Sequence, residues 1–314
     1  MSHTRLRSRH LWLLCACGAL LAWMGLRSVV PMHDGNASGK VADPQATRLS
    51  GATPVSAEGR VSGSRPQAGP PLPRRSAFEG APDLFRYAQE LIGSAQSGDA
   101  EAAWVLSRVY DYCSAYAGDP AGYAADNRWM ATQSGPGMVA MLDARTRVAD
   151  RCAGFTAADG LSAQAIALQR IRAAQAGSLA AEAALLASGR PLEDSQAYRY
   201  ALVQRVLASR DPEAYLALSP AMGMAAIGDD AYQGYVAGSQ YAELAWQMAA
   251  CRLGLECGAD SALMTSYCAN GGICSRTPGQ DFGSFVLGAA VPQQAAEKMD
   301  EMVETLVKGS GVKP

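Results

Sequence analysis

Histidine is nearly missing from this chain of 314 residues, and its few positions matter. His3, His10 and His33 are the only ones, so none follows residue 33. That removes Ser-His-Asp and Cys-His nucleophilic catalysis, HExxH metallopeptidase chemistry, histidine zinc sites and histidine proton shuttles from everything downstream. Lysine is scarce too. After Lys40 only Lys298, Lys308 and Lys313 remain, and Lys298 falls on the polar face of an amphipathic terminal helix. No C-x-x-C motif occurs, so a thiol–disulfide enzyme is not indicated. No G-x-G-x-x-G or G-x₄-G-K-[ST] cradle and no D-x-[DN]-x-[DN]-G calcium loop occurs. No cofactor, metal site or catalytic residue is therefore expected, and the chain is not read as an enzyme.

What the chain does contain begins with a sorting segment. "MSHTRLRSRH" (residues 1–10) is basic, with Arg5, Arg7 and Arg9 and no acid. "LWLLCACGALLAWMGL", Leu11 to Leu26, carries no charge, and the apolar stretch closes near Met32. A basic flank before such a run is an export signal. At about 1.5 Å per residue, a helix over 11–32 reaches the roughly 30 Å of a bilayer core. An uncleaved signal anchor is the first expectation and a cleaved signal peptide the alternative. Either keeps the positive flank inside and exports the rest. The expected location is the inner membrane, single-pass, with the C-terminal body in the periplasm.

Residues 33–77 are rich in Gly, Pro, Ser and Ala and hold no Phe, Tyr or Trp. Such a segment buries too little apolar surface to offset ordering entropy and reads as a disordered linker spanning roughly 35–40 Å. From residue 78 the composition turns globular. In "DLFRYAQELIGSAQ" apolar residues recur at helical spacing, as they do in "SQYAELAWQMAACRLG" and "QQAAEKMDEMVETLVKG". No alternating strand pattern stands out. Residues 78–314 are expected to form an all-α domain, either an array of helical hairpins or an irregular helical body.

Gly98-x₃-Ala102-x₃-Leu106 and Gly177-x₃-Ala181-x₃-Leu185 each follow an alanine-rich helix. A third frame at Gly258 and Ala262 has Ser266 where leucine would stand. The two windows resemble tetratricopeptide-type α/α repeats, in which glycine ends one helix, a small residue admits the next and leucine fills the layer between. The resemblance implies a binding platform without chemistry of its own.

Beyond the apolar segment lie six cysteines: Cys113, Cys152, Cys251, Cys257, Cys268 and Cys274. The spacing C-x₅-C-x₁₀-C-x₅-C of the last four suits no structural zinc site. In an exported chain an even set implies disulfides. Cys113 with Cys152 is the natural pair outside the cluster. A helix between Cys257 and Cys268 would separate them by about 16 Å, too far for a bond. Two schemes stay open: 251–257 with 268–274, or 251–268 with 257–274.

From residue 78 onward 17 Lys and Arg face 26 Asp and Glu, a balance of −9 that argues against nucleic acid as a partner. The strong preference for Arg over Lys, 23 against 4, fits a high-GC bacterium by association, and the expected partner of the exported body is another envelope protein or a cell-wall component. Tyr198, Arg199, Tyr200 and Arg205 in "QAYRYALVQR" form a candidate interaction surface, since Tyr and Arg are the residues most used at interfaces. The functional expectation is a non-catalytic, membrane-tethered binding or scaffolding module. The alternative is a carboxylate-dependent cell-wall glycan hydrolase, for which Asp229, Asp230 and Glu243 are the candidate acids.

Overall fold

Polar caps divide the chain into short helices. In a computed structural model, which describes residues 74–311, thirteen α-helices and no strand occur among the described residues. They are α1 (Arg74–Gly80), α2 (Leu84–Gln96), α3 (Ala100–Gly118), α4 (Pro120–Met130), α5 (Pro136–Cys152), α6 (Ala163–Gln175) and α7 (Leu179–Ala187). They continue with α8 (Gln196–Ser209), α9 (Pro212–Met222), α10 (Gln240–Arg252), α11 (Ala262–Ala269), α12 (Phe282–Ala289) and α13 (Ala296–Val307). Most start at an Asp or Ser whose side chain accepts a first-turn amide, as Asp83 does from Arg86 and Ser239 from Ala242. Pro120, Pro136 and Pro212 occupy the first turn, where their missing N–H costs nothing.

Consecutive layers pack in the order α2, α3, α6, α7, α9, α10, α13. The joints α2–α3 and α6–α7 are built alike. Gly98 (φ +92°) and Gly177 (φ +102°) take left-handed backbone that favours glycine, and each donates its N–H to a carbonyl three residues back. The next residue, Asp99 or Ser178, then accepts the amide of Ala102 or Ala181. Both alanines are fully buried, and Leu106 and Leu185 lie one turn further inside. Gly258 has no such left-handed turn, and Ser266 is only half-buried. The α4–α5 pair departs from this order: α5 packs on α3 and α11, while α8 lies beside α7 and α9.

The largest side chains seal the C-terminal half. Trp246 and Tyr215 are fully buried with ring centroids 5.0 Å apart. Each places its polar atom on a carbonyl: Trp246 Nε1 donates to Val236 O at 2.8 Å and Tyr215 Oη to Leu306 O at 3.1 Å. Burying such a side chain contributes on the order of 2 kcal/mol, and the hydrogen bond avoids a desolvation loss.

All six cysteines of the body are bonded, as Cys113–Cys152, Cys251–Cys257 and Cys268–Cys274. The first joins α3 to the end of α5. The other two close short local loops, one at the end of α10 and one at the end of α11, which decides between the two open schemes.

The domain boundary needs correction. Residue 78 lies inside α1, so residues 74–77 are helix, not linker. The reason is ionic: Arg74 pairs with Asp99, and Arg75 with Glu101 and Asp211. The basic flank (1–10), the apolar segment (11–32) and the rest of the linker (33–73) lie outside the described residues. Among the described residues, no helix is long and apolar enough to cross a membrane.

Candidate functional site

One face of α3 carries Trp104, Arg108, Asp111 and Tyr112, the i, i+4, i+7, i+8 stripe of a helix. Because α6, α7, α9 and α11 approach this stripe, it becomes the wall of a cleft of about 410 Å³. Opposite stand Arg170 of α6, Glu213 and Leu216 of α9, and Ser266 and Asn270 of α11. A second cleft, of about 600 Å³, opens between α1, the start of α9 and the segment 254–261. Glu213 lines both.

The charge at this junction centres on Arg108. Its Nη1 donates to Glu213 Oε1, its Nη2 lies 3.7 Å from Glu79 Oε1, and its guanidinium stacks 4.6 Å from the centroid of the Phe78 ring. Glu79 Oε2 accepts the Ala262 amide at 2.9 Å, at the start of α11. Burial pushes the Glu79 carboxyl above its ordinary value, against the opposing pull of Arg108 and the Ala262 amide. Glu213, only 3 % exposed, keeps Oε2 without a hydrogen bond in the protein. Trp104, likewise 3 % exposed, has no acceptor for Nε1. Arg170 spends Nη2 on Asp111 at 2.7 Å and leaves Nε unpaired. Burial raises the Tyr112 hydroxyl above its ordinary value too. The arrangement suits the recognition of a polar ligand that brings its own donors and acceptors. Among the described residues, no three His, Cys, Asp or Glu side chains gather into a metal site.

The residues singled out from the sequence lie elsewhere. Tyr198, Arg199, Tyr200 and Arg205 share α8. Arg199 pairs with Asp194 and Asp229, and Arg205 with Glu182. Tyr198 packs against the core, while Tyr200 is exposed and rests against Tyr235 at 5.8 Å. Of the candidate acids, Asp229 caps a short turn by accepting the Ala231 amide, and Asp230 is exposed. Burial raises the Glu243 carboxyl on α10 above its ordinary value. None of the three borders either cleft. Sequence reasoning missed Glu79, Trp104, Arg108 and Glu213. The spacing Trp104-x₃-Arg108-x₂-Asp111 was the available signal, an aromatic, a cation and an acid on one helical face.

The chain matches no protein-family model, no curated protein and no solved structure. Function therefore rests on this geometry.

Proposed function

We propose that this protein is a membrane-tethered, extracytoplasmic module of a bacterial envelope that binds a cell-wall component in the cleft between α3 and α9. The observation that carries this reading is the cleft wall itself, which Trp104 and Tyr112 of α3, half-buried Arg170 of α6 and Glu213 of α9 all line, each with a polar atom that has no hydrogen-bond partner in the protein. Three disulfides support an oxidising compartment, and a tether of the kind read over residues 11–73 would hold the body clear of the membrane. The α/α hairpin joints at Gly98 and Gly177 support a platform of the tetratricopeptide type. Glu79 and Glu213 share one guanidinium, which suits positioning better than proton transfer.

One observation favours hydrolysis of cell-wall glycan as a second reading. Half-buried Glu79 and buried Glu213 both line the second cleft, and burial raises Glu79 in the direction a general acid requires. Cosedimentation of the full-length chain with purified cell-wall sacculi separates the readings. Binding predicts that the chain sediments and releases no soluble saccharide. Release of soluble fragments, lost in Glu79→Gln, supports hydrolysis instead. A chain that neither sediments nor releases fragments overturns both.

A further inference from the structure

We infer that a second face of the body, formed by the tip of the α4–α5 hairpin and the loop after α11, rests on a lipid bilayer with anionic headgroups. This face is separate from the α3–α9 cleft and goes beyond the reading above. Residues 129–142 carry no charged side chain, and neither do residues 261–275. The two stretches meet in space: Cys268 Sγ lies 3.4 Å from Ala140 O, and the end of the Met141 side chain reaches Gly272. Three of the large apolar side chains left open to solvent stand here, Trp129 at 58 %, Val139 at 56 % and Ile273 at 54 % exposed. An exposed apolar patch of this kind marks a contact surface. Beside it, Ile273, Phe285 and Ala289 line a hollow of about 580 Å³ whose lining includes Arg276 and no carboxylate.

Charge selects the occupant. The uncharged stretches are bounded by Arg128 and Asp143 and by Asp260 and Arg276. Asp260 pairs with Arg147, and Asp126 nearby pairs with Arg145. Asp281 turns its carboxylate onto the first turn of α12, where it accepts the Ser284 amide at 2.7 Å. Arg128 and Arg276 are exposed and make no ion pair among the described residues, against the single unpaired carboxylate of Asp143. The body as a whole has a balance of −9 from residue 78 onward, so an anionic bilayer repels most of its surface and accepts this face. Tryptophan is a residue of the membrane–water interface, and arginine reaches headgroups from a stem that can lie on apolar surface.

The test uses the full-length chain labelled with 5-fluorotryptophan, mixed with vesicles of phosphatidylethanolamine and phosphatidylglycerol that carry a gadolinium-chelating lipid. Each resonance is identified by its loss in a Trp→Phe variant. Trp129 is expected to broaden, while Trp104 and Trp246, buried in the body, stay sharp as internal controls. Contact is expected to be about tenfold weaker on phosphatidylcholine vesicles, and about tenfold weaker in Arg128→Gln with Arg276→Gln on the anionic ones. Val139→Ser with Ile273→Ser, both at exposed positions, is expected to weaken it about tenfold as well. A Trp129 resonance broadened no more than Trp246, equal broadening on phosphatidylcholine, or broadening that the serine variant leaves unchanged overturns the inference. So does a Trp129 shift that grows with protein concentration in the absence of lipid, which assigns the face to a second copy of the chain. Sedimentation with sacculi reads the α3–α9 cleft and not this face, so either result can fail without the other.

Discussion

Arg108 of α3 and Glu213 of α9, 105 residues apart in sequence, meet in an ion pair almost wholly shielded from solvent. The pair links two layers of the helical body, and its Glu213 borders both of the clefts described above. The pair exists only because α7, packed against both α6 and α9, brings the two faces together.

Removing one partner should therefore be severe. Arg108→Ala leaves Glu213 and Glu79 buried without their shared cation and is expected to cost about 3–5 kcal/mol in urea unfolding. Replacing both partners with apolar side chains, Arg108→Met with Glu213→Leu, should recover most of that loss, because no stranded charge remains at the pair.

The long-range disulfide should matter more than either local one. Cys113–Cys152 spans 39 residues, whereas Cys268–Cys274 spans 6. Loop-closure entropy gives about 4 kcal/mol for the first and about 2 kcal/mol for the second. Paired Cys→Ala variants compared by chemical denaturation should fall in that order.

Two glycines five residues apart should respond with opposite signs. Gly93 is exposed inside α2, and a Cβ added there would meet nothing within 4 Å outside its own helix backbone, so Gly93→Ala should stabilise by about 1 kcal/mol through helix propensity. Gly98 needs its left-handed backbone, so Gly98→Ala should destabilise by about 1 kcal/mol. Thermal midpoints of the two variants check both.

The pH response of two carboxylates should also differ in sign. Glu79, raised by burial, binds its proton more readily in the folded state. Its contribution is largest below the ordinary carboxylate range and is lost as pH rises toward its folded value. The stability of Glu79→Gln relative to the native chain should therefore climb as pH rises from the ordinary carboxylate range, about 4, toward the raised folded value. Asp99 is lowered by the Ala102 amide and by Arg74, so its contribution is present at neutral pH and lost as pH falls through its folded value. Asp99→Ala should cost about 1 kcal/mol at neutral pH and less in acid, read from unfolding free energies across a pH series.

The chain by itself determined the helical class, because the signals are local: an Asp or Ser cap, apolar residues at helical spacing, a glycine at the turn. The six cysteines of the body and the missing histidines are equally direct, since composition alone limits the chemistry. Cys113 with Cys152 followed from counting what the cluster left over. Tertiary structure decided between the two cluster schemes, because the choice depends on how the segments after α10 and α11 fold back. It also moved the body's edge to Arg74, whose partner Asp99 is 25 residues away. The candidate site belongs wholly to this second kind of information. Trp104, Arg108, Arg170 and Glu213 come from three helices, and each alone reads as an ordinary core or surface residue. Their convergence depends on how closely alanine-rich faces let those helices approach, and that distance is set by packing across the whole body rather than by any short stretch of chain.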